Sequence, residues 1–233
     1  MLTLEDALFL DFDGTLTAIQ DDADGVALRA GGAELLLKAH AALEGALCLV
    51  SGRDRDDLAG RVPGTLPLMG NHGLRRRFVD GGAEGRAPRG LLERLEALAG
   101  GGVRIEPKGA VVAVHYRQAP ERGSDLLEEI RAVAARFPGY RVEHGKRVIE
   151  AKPAGASKGE ALREAMRAAP FAGRRPVMIG DDTTDEAGFA AAQGLGGLGI
   201  KVGAGETGAR KRVASPDDVF ALLHALLHGA GHD

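Results

Sequence analysis

Short, mostly apolar runs recur along the chain at 7–10, 47–50, 66–70, 176–179 and 199–202. Each is four or five residues long and rich in Leu, Val, Ile or Met, the signature of strands buried on both faces of a parallel sheet. Between them, apolar positions fall at helical spacing over 30–43, 54–62, 158–168 and 185–192, and again at the C-terminus. There Ser215 can cap a helix that has Pro216 in its first turn, and Val219, Leu222, Leu223, Leu226 and Leu227 make one stripe that ends before Gly229. The alternation predicts an α/β fold, a Rossmann-like parallel sheet with helices on both faces.

The pattern changes between 84 and 153. A helix over 91–98 is followed by strands at 103–106 and 110–117 around a Lys108-Gly109 turn. A second helix over 126–137 precedes a hairpin of 141–144 and 147–151 around Gly145-Lys146. This predicts an inserted α+β cap domain, 84–153, in a catalytic core made of 1–83 and 154–233. An insert after the carboxyl end of a strand sits above the crevice where such sheets bind ligands, so it is placed to act as a lid. Gly194 to Gly199 fits G-x-G-x-x-G by letter, but it follows a helix and precedes a strand, the reverse of a dinucleotide site.

Composition narrows the function. The 233 residues are 44% apolar, enough for a compact core, and 30 Lys plus Arg against 33 Asp plus Glu give a net charge of −3. That balance offers no global attraction for nucleic acid or an anionic membrane, so phosphate recognition has to be local. The single cysteine, Cys48, lies in an apolar run and excludes an intrachain disulfide framework or a cysteine-rich zinc site. With no basic signal-like N-terminus and no 18-residue apolar segment, a soluble cytoplasmic protein is expected.

The chemistry concentrates at strand exits. In Leu8-Phe9-Leu10-Asp11-Phe12-Asp13-Gly14-Thr15, two carboxylates two residues apart leave a buried strand on the same side. One can bond a metal or attack phosphorus while the other moves protons; alone, the pair also fits an acidic turn. Val50-Ser51-Gly52-Arg53 puts a hydroxyl and a backbone nest at a second exit. Ser157 and Glu160 form a capping-box pattern that places Lys158 in a first helical turn, where the helix dipole disfavours a cation unless an anion is near. Gly180-Asp181-Asp182-Thr183-Thr184-Asp185-Glu186 holds four acids and no Cys or His, a hard-oxygen set suited to Mg²⁺.

In that order, DFDGT, SGR, the helix-leading lysine and GDDTTDE resemble the four motifs of the haloacid dehalogenase superfamily of phosphotransferases. The resemblance implies Asp11 as nucleophile, Asp13 as general acid and base, and Ser51 and Lys158 as holders of the phosphoryl group. It implies Mg²⁺ bound by the Asp11 side chain, the Asp13 carbonyl and Asp181, with Asp182 and Asp185 supporting from close behind.

Gly70-Asn71-His72-Gly73, Glu106-Pro107-Lys108, His115-Tyr116-Arg117, His144-Gly145-Lys146 with Glu150, and Lys152-Pro153 resemble trehalose-6-phosphate phosphatases over nearly the whole chain. Arg53, Glu106, Lys108, Arg117, Lys146 and Glu150 are then implied substrate contacts, trehalose 6-phosphate the substrate, and a trehalose-6-phosphate synthase the candidate protein partner. Other readings are a phosphatase for sucrose, glucosylglycerol or mannosylglycerate phosphates, and a non-catalytic sugar-phosphate sensor. Ser157 and Phe12 stand where the family usually shows Asn and often shows Tyr. His72 reads as a loop brace, and His224, His228 and His232 as solvated surface.

Overall fold

The computed structural model describes residues 1–20, 25–71, 75–76, 86–145 and 147–229, with the backbone alone at 75–76. The chain divides into two compact units, Met1–Gly81 with Ser157–Asp233, and Gly82–Ala156.

The first unit is built on seven strands: β1 (Asp6–Leu10), β2 (Leu47–Val50), β3 (Leu68–Gly70), β4 (Arg75–Arg76), β9 (Arg175–Gly180), β10 (Leu198–Val202) and β11 (Lys211–Val213). Their order is β11-β10-β9-β1-β2-β3-β4, parallel throughout except for the β3–β4 pair. All five residues of β1 are buried, as expected of a central strand covered on both faces. From β1 the chain runs through α1 (Gly32–Ala42) to β2 and through α2 (Arg55–Ala59) to β3. It later reaches β9 on the other side of β1 and runs through α6 (Glu186–Gly194) to β10. Right-handed crossovers travelling in opposite directions place α1 and α6 on opposite faces. Accordingly α1 packs on α7 (Pro216–Gly229), while α5 (Lys158–Ala165) packs on α6. The order of travel reverses between β1 and β9, and their carboxyl ends therefore border the crevice.

The sequence pattern locates the helices and the five inner strands to within a few residues and misses the short edge strands β4 and β11. At α7 the Asp218 carboxylate accepts from the Ser215 N–H at 3.0 Å while the Asp218 N–H donates to the Ser215 hydroxyl at 3.4 Å, a reciprocal cap. Val219, Phe220, Leu223 and Leu226 are buried, so Phe220 joins the stripe, with Leu222 and Leu227 partly buried beside it. One expectation is half met: the Ser157 hydroxyl accepts from the Glu160 N–H at 3.1 Å, but the Glu160 carboxylate is drawn to Arg163 at 2.6 Å. The Gly194–Gly199 segment joins α6 to β10, a helix-to-strand loop.

The second unit contains α3 (Arg89–Glu96), β5 (Arg104–Lys108), β6 (Val111–His115), α4 (Gly123–Ala134), β7 (Tyr140–Gly145) and β8 (Val148–Pro153). The strands form an antiparallel sheet in the order β5-β6-β8-β7. Side chains alternate across it: Val112, Val114, Ile149 and Ala151 pack with Leu91, Leu95, Leu126 and Ile130 of the helices. The other face carries Arg104, Glu106, Lys108, His115, Arg141, Glu143, Glu150 and Lys152, placed by the same alternation and register. Both turns lie one residue later than the sequence suggests. Lys108 pairs with Val111, so Gly109, at φ 65°, opens the first turn; Gly145 pairs with Val148 and Arg147, at φ 64°, closes the second. β8 also runs on to Pro153, whose missing N–H is tolerable at a strand end.

Phe9 of β1 stacks on Phe171 at 5.2 Å between ring centroids, both fully enclosed. Phe171→Ala leaves a cavity against the central strand and should lower stability by about 3–5 kcal/mol. Because the chain has no Trp, urea unfolding followed by far-UV circular dichroism is the appropriate measurement; an unchanged midpoint would contradict this packing.

Candidate active site

Register brings the strand exits together. Leu10 is level with Leu49 of β2 and Ile179 of β9, so Asp11 is level with Val50 and Gly180, and Ser51 and Asp181 each stand one residue further on. Asp11 continues the ladder with its N–H on the Ile179 carbonyl at 2.9 Å. The chain then folds tightly: the N–H groups of Leu16 and Thr17 both donate to the Phe12 carbonyl, at 2.9 and 3.2 Å. Gly14 makes that bend possible at φ 75°, and a Cβ there would stand 2.1 Å from an Asp181 carboxylate oxygen. Gly180 is under the same constraint, since its Cβ would meet the Asp185 Cγ at 2.2 Å. Two glycines thus let the acids of β1 and β9 approach one another.

Lys158 links them. Its side chain is only 2% exposed, and Nζ donates to Asp11 Oδ1 and Asp185 Oδ1, each at 2.6 Å. The cation disfavoured at a helix start is therefore matched by buried carboxylates, which rules out a solvated surface lysine. The Asp185 carboxylate also accepts from the N–H groups of Asp181 and Asp182 at 3.0 Å. Asp11, Asp181 and Asp185 offer oxygens that all lie within 4.8 Å of one another. Burial first, then the Asp185 carboxylate, pushes Asp181 up to about 7 against the pull of Lys158 and Lys201. Burial raises Asp11 well above the carboxylate range despite the Lys158 ammonium, while the two carboxylates outweigh burial at Lys158 and raise it above an ordinary lysine. Three carboxylates and one ammonium leave two net negative charges when all are ionised. That deficit, in an all-oxygen donor set, fits a divalent hard cation.

Asp13 makes a separate arrangement. Arg53 grips it bidentately, Nε to Oδ2 at 2.7 Å and Nη2 to Oδ1 at 2.6 Å, and reaches Asp57 with Nη1 at 3.0 Å. The guanidinium also lies 5.7 Å over the Phe12 ring. Ser51 is buried, and its hydroxyl accepts from the Arg53 N–H at 3.1 Å. Asp182 serves locally, its carboxylate accepting from the Thr183 N–H at 2.7 Å to cap a short 3₁₀ turn over Thr183–Asp185. Asp185, expected behind the other acids, stands among them.

The remaining sequence-derived candidates belong to the second unit. Glu106 bonds His115 Nε2 at 2.6 Å, and that bond, against burial, holds its carboxyl below the ordinary range. Lys108 Nζ lies 3.7 Å from Glu106 and 3.8 Å from Glu150. Arg117 is exposed in the turn after β6. Lys146 and His72 lie outside the described residues, as does His232; His224 and His228 are exposed on α7.

Sequence reasoning passed over Lys201 and Glu143 and, though it singled out Lys152-Pro153, gave Lys152 no role. Lys201, a charge inside the apolar run of β10, is buried, with Nζ on the carbonyls of Asp181 at 2.6 Å and Val202 at 2.7 Å. A lone lysine within a buried strand was the available signal. For Lys152 the signal was its i, i+2 spacing from Glu150, hidden by ending the strand at Ala151.

The trehalose-phosphatase family model matches residues 9–218. The trehalose-6-phosphate phosphatase of Escherichia coli is 38% identical, covering 97% of this chain and 88% of its own. Among solved structures, the C-terminal domain of Candida albicans trehalose-6-phosphate phosphatase superposes with a TM-score of 0.79 at 21% identity, over 97% of this chain and 93% of that one. A sugar phosphatase of subclass IIB of the haloacid dehalogenase superfamily does so with a TM-score of 0.63 at 18% identity, over 97% and 99%. The match along nearly the whole length of both chains at 38% identity decides the matter, and the chain belongs to the trehalose-phosphatase family.

Proposed function

We propose that this phosphatase hydrolyses trehalose 6-phosphate to trehalose and phosphate through an aspartyl-phosphate on Asp11. The observation that carries the reading is the buried Asp11 carboxylate at the exit of the central strand, held by Lys158 in a cluster with two further acids. Family membership and the name of the E. coli relative supply the substrate.

In this reading an Asp11 oxygen attacks phosphorus and the bond from phosphorus to the sugar oxygen breaks. Asp13, oriented by the Arg53 fork, gives a proton to the departing oxygen and later takes one from the water that opens the aspartyl-phosphate. Lys158 and the Ser51 hydroxyl hold the phosphoryl oxygens, with Arg53 on the substrate side of its pair with Asp13. Asp11, Asp181 and the Asp13 carbonyl would hold Mg²⁺, with Asp185 beside them in the cluster and Asp182 capping the turn that follows Asp181. When bound, Mg²⁺ masks the repulsion between the Asp11 carboxylate and the phosphate dianion. The second unit is the cap, and Glu106, Lys108, Arg117, Lys146 and Glu150 contact the sugar hydroxyls. A trehalose-6-phosphate synthase is the protein to test for association, and the buried Cys48 thiol suits a reducing cytoplasm.

A panel of sugar phosphates assayed for phosphate release with Mg²⁺ should give the highest kcat/KM for trehalose 6-phosphate. A preference for sucrose, glucosylglycerol or mannosylglycerate phosphate would sink the substrate assignment. Asp11→Asn should lose turnover by at least about a thousandfold while still binding substrate; near-normal turnover would remove Asp11 from its role.

The metal-free protein should also show a pH signature. Folding raises Asp181 from an ordinary 3.8 to about 7, so between these values the folded state keeps a proton that the unfolded chain releases. Stability therefore falls as pH rises through that window. Thermal melts from pH 4 to 8 should show this slope, with Asp181→Asn flattening it and added Mg²⁺ opposing it. An identical slope in Asp181→Asn would refute the assignment.

A further inference from the structure

The charged face of the four-stranded sheet holds a problem that its sugar-binding residues do not solve. Register places Glu106, Ala113, Glu150 and Glu143 in one row across β5, β6, β8 and β7. Glu143 and Glu150 are thus direct cross-strand partners of like charge, an unfavourable pairing in an antiparallel sheet. Glu150 is buried, which sharpens the conflict.

Lys152 sits where it can resolve it. One pair further along β8, on the same face, its side chain is 1% exposed, and Nζ lies 2.7 Å from Glu143 Oε2 and 4.0 Å from Glu150 Oε2. The other oxygen of Glu150 lies 3.8 Å from Lys108 Nζ. Glu150 therefore stands between two ammonium groups at ion-pair distance, while Lys152 spends its short contact on Glu143. Burial lowers Lys152 from an ordinary lysine, and both glutamates work against that shift. Arg141, the register partner of Lys152, also reaches Glu143 at 3.2 Å.

We propose that Lys152 and Glu143 form a positioning pair that fixes the Glu150 carboxylate, in its ionised form, for recognition of a hydroxyl on the sugar half of the substrate. Neither residue contacts the substrate; they act through Glu150, and the inference rests on the reading of Glu150 as a sugar contact. Deleting the ammonium alone leaves the buried Glu150 facing the Glu143 carboxylate across the register pair, so Glu150 turns away. Deleting Lys152 and Glu143 together removes one charge of each sign and leaves Glu150 beside Lys108. Charge balance at Glu150, rather than the lysine itself, then becomes the tested quantity.

The experiment compares Lys152→Met, Lys152→Met with Glu143→Gln, Lys152→Arg and Glu150→Gln, on trehalose 6-phosphate and on p-nitrophenyl phosphate, with thermal melts of each. Lys152→Met should raise KM for the sugar phosphate about tenfold, with kcat and p-nitrophenyl phosphate hydrolysis changing less than twofold. The double variant should recover most of that loss, and Lys152→Arg part of it. Failure of the double variant to recover, in a protein that melts normally, would overturn the positioning role and make Lys152 a direct contact or a packing element. An unaffected Lys152→Met beside a damaged Glu150→Gln would overturn it too, leaving the sugar-binding reading of Glu150 intact. If Glu150→Gln leaves KM unchanged, that earlier reading fails and the role of Lys152 fails with it. Should Lys152→Met not fold, the charge-balanced double variant and Lys152→Arg carry the same comparison.

Discussion

A buried ammonium between buried carboxylates is the constraint on which the first unit turns. Lys158 holds Asp11, at the end of the central strand, and Asp185, at the end of the neighbouring loop. It is the cation that offsets part of the burial and mutual repulsion of three acids whose oxygens lie within 4.8 Å of one another. The sheet order, the strand reversal between β1 and β9, and the two glycines that let the loops touch all serve to converge these groups. Lys201 extends the arrangement from behind, binding the Asp181 carbonyl and so fixing the loop that carries the third acid. The fold is a means of placing charges that would repel one another in any looser frame.

Much of this is legible in the sequence because the physics responsible is local. Continuous apolar runs announce buried parallel strands, and β2 spans the very residues its pattern marks. The acids and the lysine are visible because each follows such a run or opens a helix, positions where a polar group has to have a purpose. Partnership is what remains hidden. That Arg53 clasps Asp13, that Asp182 caps a turn while Asp185 joins the cluster, and that Glu160 turns to Arg163 depend on rotamers and on elements far apart along the chain.

The second unit shows the same division at finer scale. Helix, hairpin, helix, hairpin can be read from turn residues and periodicity, yet both turns lie one position later than the Gly residues suggest, and each turn shift carries its neighbours with it. Pairing Lys108 with Val111 sets it on the charged face beside Glu106, and extending β8 to Pro153 brings Lys152 into the ladder. Period-two alternation then decides everything that follows: one face becomes core, the other a row of opposed charges.

The two clusters use the same chemical groups in different proportions, and the proportion sets the charge each presents. Three carboxylates against one ammonium leave the strand exits short of positive charge, so that site suits a divalent cation and, through it, a phosphate. On the sheet of the second unit, Glu106, Glu143 and Glu150 are met by Lys108 and Lys152, with Arg104, Arg141 and His115 at the margins. With His115 neutral, three carboxylates against four cations leave such a face within one charge of balance, and it has many oriented donors and acceptors of the kind a neutral polyol would need. A sugar phosphate is one molecule with both needs, an anionic end and an uncharged hydroxyl-rich end. The chain carries both kinds of chemistry, a cluster short of positive charge in its first unit and a nearly balanced charged face in its second.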